Sequence, residues 1–300
     1  MDVEAIFLDL GRLDERLKTS PARLSWHLKM RARGIAFAAT NAGIPVRADD
    51  VEIWLAGASL PPRHGEGIND NLSIAAVAYF TLAVLDKASD SPNLQAKQRM
   101  QAMFNRHAAV LDWGRDDRVA LDPLFEQLVL VFDTLSPGRS LRSVAQACEQ
   151  LLGVVDDCRS GAKQQSNLQV DYGMPPRDLP QAWLASLFVP LLLARAGLLS
   201  SSLPSFIPSI RFVDIKAKGI EEALRSRLGH EAQHGLRELV ALERRLATCL
   251  QSMRPTRRSR AISAAELLVS FPALKRARLA DCLGITPQGA GQLKRRVNAA

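Results

Sequence analysis

The spacing of apolar side chains constrains this chain most: it repeats every three or four residues almost throughout and every two almost nowhere. Ile6, Leu10, Leu13 and Leu17 share one helix face over 4–18, with Phe7 at its edge. Ser20-Pro21 is a start signal for a second helix over 21–42, which Gly43 closes. The same period predicts helices over 70–87, 92–112, 121–135 and 140–158, a buried helix over 179–197 and a long one over 218–253. Ile210–Ile215 alternates as a strand would, and 49–60 suits helix or strand. The expected fold class is all-α.

Two stretches interrupt this pattern. Pro61-Pro62-Arg63-His64-Gly65-Glu66-Gly67 reads as a loop. Residues 159–180, from Arg159-Ser-Gly161 to Pro175-Pro176, are polar and rich in breakers, so they read as an exposed loop or linker. At 300 residues, 47% hydrophobic and 23% charged, the chain has material for a packed core and for two domains. The apolar run Ala182–Ala194 contains Ser186 and Pro190 and is too short for a bilayer span. Met1-Asp2-Val3-Glu4 is acidic and does not suit a secretory signal. Cys148, Cys158, Cys249 and Cys282 lack CxxC spacing and read as buried thiols. A cytoplasmic protein with no membrane contact is expected.

The charge is unevenly placed. The chain has 39 Lys/Arg and 31 Asp/Glu; residues 251–300 hold ten of the former and only Glu266 and Asp281 of the latter. That leaves 29 of each in residues 1–250, so the whole net charge of +8 sits in the last fifty residues. A neutral body with a basic end is the footprint of a module that meets a polyanion. The division falls at 253/254: a helical body over 1–253 and a small domain over 254–300.

The basic end has the grammar of a helix-turn-helix. Helices are expected over 262–271 and 275–283, the first stopped by Phe271-Pro272 and the second by Gly284. Thr286-Pro287 opens a third, with Thr as N-cap and Pro at the first helical position. Leu279, Leu283, Ile285, Ala290 and Leu293 would join the last two helices around the small Ala280. Thr286, Gln288, Gln292, Lys294, Arg295 and Arg296 are then left for DNA, since Gln suits adenine edges and Arg or Lys suits guanine or phosphate. Arg257, Arg258 and Arg260 of the connector suit the backbone or a minor groove. Gly289 and Gly291 weaken the third helix by about 1 kcal/mol each relative to Ala.

On these residues the chain resembles a family of uncharacterised bacterial proteins, often plasmid-borne in plant symbionts. The segments that carry the resemblance are Leu13-Asp-Glu-Arg-Leu17 before Ser20-Pro21, Ile53-Trp-Leu-Ala-Gly57, Leu191-Leu-Leu-Ala-Arg-Ala-Gly197, and Glu243-Arg-Arg-Leu246 through Ala280-Asp-Cys-Leu-Gly-Ile-Thr-Pro287. The resemblance implies a helical domain of unknown function followed by a C-terminal helix-turn-helix, and so a DNA-binding regulator by architecture.

Two further patterns lie on the 218–253 helix. Ala232, Leu239, Leu242, Leu246, Cys249 and Met253 keep alternating 3-4 spacing once Gly235 is counted. Such a stripe is either a coiled-coil dimer seam or a face of the protein's own core. His230-Glu-Ala-Gln-His234 matches the zinc-peptidase pattern, in which two His share a face and Glu acts as base. Val240 and Arg237 stand where the longer form of that pattern wants His and Gly. There is no Walker loop, Rossmann fingerprint or Gly-x-Ser-x-Gly elbow. The expected function is sequence-specific binding of double-stranded DNA, most simply transcriptional regulation by a nucleoid-associated homodimer, without catalytic residues, metal or cofactor. The alternatives are a zinc-dependent hydrolase and a partner-binding anti-regulator.

Overall fold

One helix, α2 (Arg23–Asn41), is buried on nearly every side, with fourteen of its nineteen residues inaccessible. A helix buried all round needs neighbours all round, and the rest of the chain supplies them. A computed structural model describes residues 3–61, 72–87, 91–105, 115–166, 181–208, 217–253, 255 and 259–299. These form α1 (Val3–Thr19), α3 (Ala48–Leu55), α4 (Ile74–Leu85), α5 (Ser91–Asn105), α6 (Arg115–Thr134), α7 (Leu141–Ser166), α8 (Ala182–Ser186), α9 (Val189–Arg195), α10 (Ala217–Met253), α11 (Arg260–Ser270), α12 (Arg276–Leu283) and α13 (Pro287–Asn298). The fold is all-α. No helix among the described residues is long and apolar enough to cross a membrane.

The long α10 is the second organiser. It packs against α1, α7, α2 and α11. Ala232, Leu239, Leu242, Leu246 and Met253 are all buried there, so the 3-4 stripe faces the protein's own core and offers no dimer seam. Gly235 lies where α10 meets α1 and α2. A Cβ there would stand 2.9 Å from Leu13 and 3.1 Å from Trp26, whose indole donates to the Gly235 carbonyl at 2.9 Å. A glycine in a helix interior costs about 1 kcal/mol relative to Ala, and here its missing Cβ is what lets three helices meet.

Polar groups tie the layers. Arg31, 1% exposed, pairs with Asp86 at 2.7 Å. Lys29 lies between Glu52 of α3 at 3.5 Å and Glu238 of α10 at 3.4 Å. Burial pushes the Glu52 carboxyl up to about 7, although Lys29 pulls the other way. The fully buried His27 packs edge-on to Trp26, and neither ring nitrogen has a hydrogen-bond partner among the described residues. Burial, helped by Arg31 and Arg23, pushes its imidazole down to about 3.

Several boundaries differ from expectation for identifiable reasons. The single helix expected over 179–197 is two, α8 and α9, because Pro190 has no N–H to continue the ladder. The 49–60 segment is helical over Ala48–Leu55. α6 starts at Arg115 and runs through Pro123, with Leu121, Leu124, Leu128 and Phe132 buried to hold it. The expected linker at 159–180 begins inside a helix, since α7 continues to Ser166. The remainder of that segment, the loop at 62–67 and the strand expected at 210–215 lie outside the described residues.

Candidate nucleic-acid interface

The last three helices form a capped, tightly turned unit. Ser259 caps α11, accepting from the Ala261 N–H at 3.1 Å. α12 ends at Gly284, whose φ of 61° and ψ of 44° are left-handed. That conformation favours Gly and lets the Ile285 N–H reach back to the Ala280 carbonyl at 3.1 Å. Thr286 then caps α13, accepting from the Gly289 N–H at 3.2 Å, with Pro287 following. Leu279, Leu283 and Ala290 are buried between the helices, with Ile285 and Leu293 packed at the edge.

This packing decides which side of α13 faces out. Gln288, Gln292 and Arg295 are exposed and follow one another at i, i+4 and i+7, so they form one stripe with side chains about 5–6 Å apart. None of the three makes a side-chain hydrogen bond or ion pair among the described residues. α13 carries Lys294, Arg295 and Arg296 and no acid.

The other expected contacts divide. Lys294 Nζ donates to the Leu274 carbonyl at 2.5 Å, clamping α13 to the turn before α12. Partial desolvation, with Lys275 nearby, lowers its affinity for a proton. Arg296 donates to the Met253 carbonyl at 3.4 Å, at the C-terminal end of α10 where the helix dipole favours a cation. Thr286 is exposed, but its oxygen serves as the cap. Arg260 is exposed at the start of α11; Arg257 and Arg258 lie outside the described residues.

Two cations outside the expected set belong beside the stripe. Lys275 and Arg276, both exposed, open α12. Arg276 lies across α13 at Gly291, where a Cβ would stand 2.8 Å from its Cδ. The signal was a glycine in an otherwise helical pattern, but its meaning depends on a side chain fifteen residues earlier.

The unit is joined to the body at several points. Ser25 donates to the Glu266 carbonyl at 3.0 Å, and Ser270 donates to the Ser25 carbonyl at 3.2 Å. The Lys275 N–H donates to the Ala56 carbonyl at 2.9 Å. Arg278, 3% exposed, lies 3.0 Å from the position of a Cβ on Gly57. Cys282 Sγ contacts the Arg99 carbonyl at 3.6 Å, and burial pushes its thiol up to about 12. One continuous core cluster runs from Ile6 to Val297, across the 253/254 division.

The His230–His234 motif sits elsewhere, on α10. Glu231 is 1% exposed, and Arg33 holds both its oxygens at 2.9 Å. Arg227 reaches Oε1 at 3.5 Å, and both guanidiniums lie over the Phe37 ring, at 3.3 Å for Arg227 and 4.7 Å for Arg33. Desolvation opposes ionisation of Glu231, but the two arginines outweigh it and hold its carboxyl below the ordinary value. The His230 side chain is 64% exposed, and burial with Arg33 lowers the His234 imidazole. Among the described residues no group of three or more His, Cys, Asp or Glu could hold a metal. Glu231 anchors α10 to α2.

No family model, curated protein or solved structure matches the chain.

Proposed function

We propose that the chain binds duplex DNA through α12 and α13 and regulates transcription. The observation that carries the reading is the outward stripe of Gln288, Gln292 and Arg295 on a capped helix free of acids. Paired amides read adenine edges in a major groove and arginine reads guanine, while Lys275 and Arg276 flank the stripe as phosphate contacts. The left-handed turn at Gly284 and the separation of +8 from a neutral body agree with this reading independently. Assembly as a homodimer remains part of the proposal, since two copies are the usual route to useful affinity, but its contact would lie away from the buried stripe of α10. No specific observation favours the hydrolase reading, because Glu231 is held between two arginines.

The test is duplex affinity of the full chain across a salt series. Binding should weaken linearly on logarithmic axes, with slope about −0.9 per phosphate contact. Gln292→Ala should relax sequence preference, costing about 1–3 kcal/mol on the preferred site. Lys275→Ala should weaken all sequences equally and flatten the slope by about one. No retardation of any duplex at about 50 mM salt would end the proposal.

A further inference from the structure

A groove of about 400 Å³ lies between α10, α11 and the last turn of α13. Leu268, Val269, Pro272 and Val297 give it apolar walls; Leu268, Val269 and Val297 are almost inaccessible. Arg244 and Arg245 stand exposed beside it. Neither guanidinium has an ion pair or hydrogen bond among the described residues, in contrast to the adjacent Glu243, which Arg16 of α1 grips. The volume falls in the range of small-molecule sites, where apolar walls and a few polar groups fix orientation.

We propose that this groove binds a small amphiphilic carboxylate, its hydrocarbon part against Leu268, Val269 and Val297 and its carboxylate on Arg244 and Arg245. Charge complementarity selects the head group, because two unpaired guanidinium forks match a carboxylate's paired oxygens. The apolar walls argue against a nucleic-acid backbone, which is polar throughout. Val297 and Asn298 belong to the helix that carries Gln288, Gln292 and Arg295. Occupancy therefore touches the element assigned to DNA, a regulatory link that rests on the DNA-binding reading.

Cys249 lines the groove and reports on it directly. Cys158, also partly exposed, lies on α7 and serves as an internal clock in the same sample. Alkylation of the full chain by N-ethylmaleimide would be followed at each cysteine by peptide mass, with octanoate as probe and octanol as its uncharged counterpart. At ten times its dissociation constant, octanoate should slow modification of Cys249 about tenfold by mass action, with Cys158 unchanged. Octanol at equal concentration should protect far less, and Arg244→Ala with Arg245→Ala should abolish the octanoate effect. Equal protection by both compounds, protection that survives the double substitution, or no protection up to the solubility of octanoate would each overturn the proposal. Protection in a chain that retards no duplex would leave the groove assignment standing and remove the DNA reading; duplex binding without protection would do the reverse.

Discussion

Glu231 is a buried carboxylate held by Arg33 through both oxygens and approached by Arg227. Removing one partner of a buried pair leaves the others uncompensated, at a cost of about 3–5 kcal/mol. Glu231→Gln should therefore lower the unfolding midpoint sharply and change no zinc content, as a melt and metal analysis of the purified protein would check. A melting temperature equal to that of the parent chain would refute the anchor. Lys294 and Gln292 make a similar contrast on α13. Lys294→Ala loses a bond to the Leu274 carbonyl and should cost about 1 kcal/mol of stability. Gln292→Ala breaks no contact in the fold and should leave stability unchanged in the same denaturant titration, whatever it does to DNA affinity.

At the scale of elements, periodicity revealed most of the helices but could not say what each apolar face meets. The stripe over 232–253 has the same spacing whether its partner is another chain or α1 and α11, and only the packing chooses the latter. Leu246→Glu should accordingly unfold the body and erase its helical circular dichroism, because an unpaired charge would enter the core. A folded monomer with native helicity would instead restore the dimer seam. Prolines show the same limit. Pro190 divides an apolar run into α8 and α9, while Pro123 is carried inside α6. Both prolines lack the N–H that would continue the ladder, yet only at Pro190 does a new helix start one residue before it. The candidate interface was more legible than the body. Its caps, its left-handed glycine and its exposed glutamines all follow from local rules at short range. What those rules missed, Arg276 over Gly291 and Lys294 on the Leu274 carbonyl, are contacts between helices.

Across the whole molecule, buried titratable groups set how stability responds to acid. Between about pH 3 and 6.5 the unfolded chain protonates His27 and the folded chain does not, so stability rises with pH. Between about pH 4.5 and 7 the folded chain holds a proton on Glu52 that the unfolded chain has released, so stability falls with pH. His234, lowered, acts with the first group; Glu266, raised by burial, acts with the second. The two main slopes oppose one another from 4.5 to 6.5. Below 4.5 His27 acts with Glu231, whose stabilisation is lost as the pH falls through its depressed value. Denaturant titrations should show a near plateau above pH 4.5 and a steep loss beneath it. Glu52→Gln should expose the hidden slope, about 1.4 kcal/mol per pH unit between 4.5 and 6.5. A plateau unchanged by that substitution would show that the compensation does not come from Glu52.

The contacts that join α11 and α12 to α2, α3 and α5 do not depend on the chain being continuous at residue 254. Ser270 on Ser25, Lys275 on Ala56 and Cys282 on Arg99 bridge separations of roughly 180 to 245 residues. Polypeptides 1–253 and 259–300, produced together, should therefore find one another and copurify as a stoichiometric pair. The shorter piece alone would leave Arg278 and Cys282 without the body surfaces they meet at Gly57 and Arg99 and should be degraded or aggregate. If the short piece instead folds in isolation and ignores its complement, the covalent link alone holds the two parts together, and the basic end is an independent passenger.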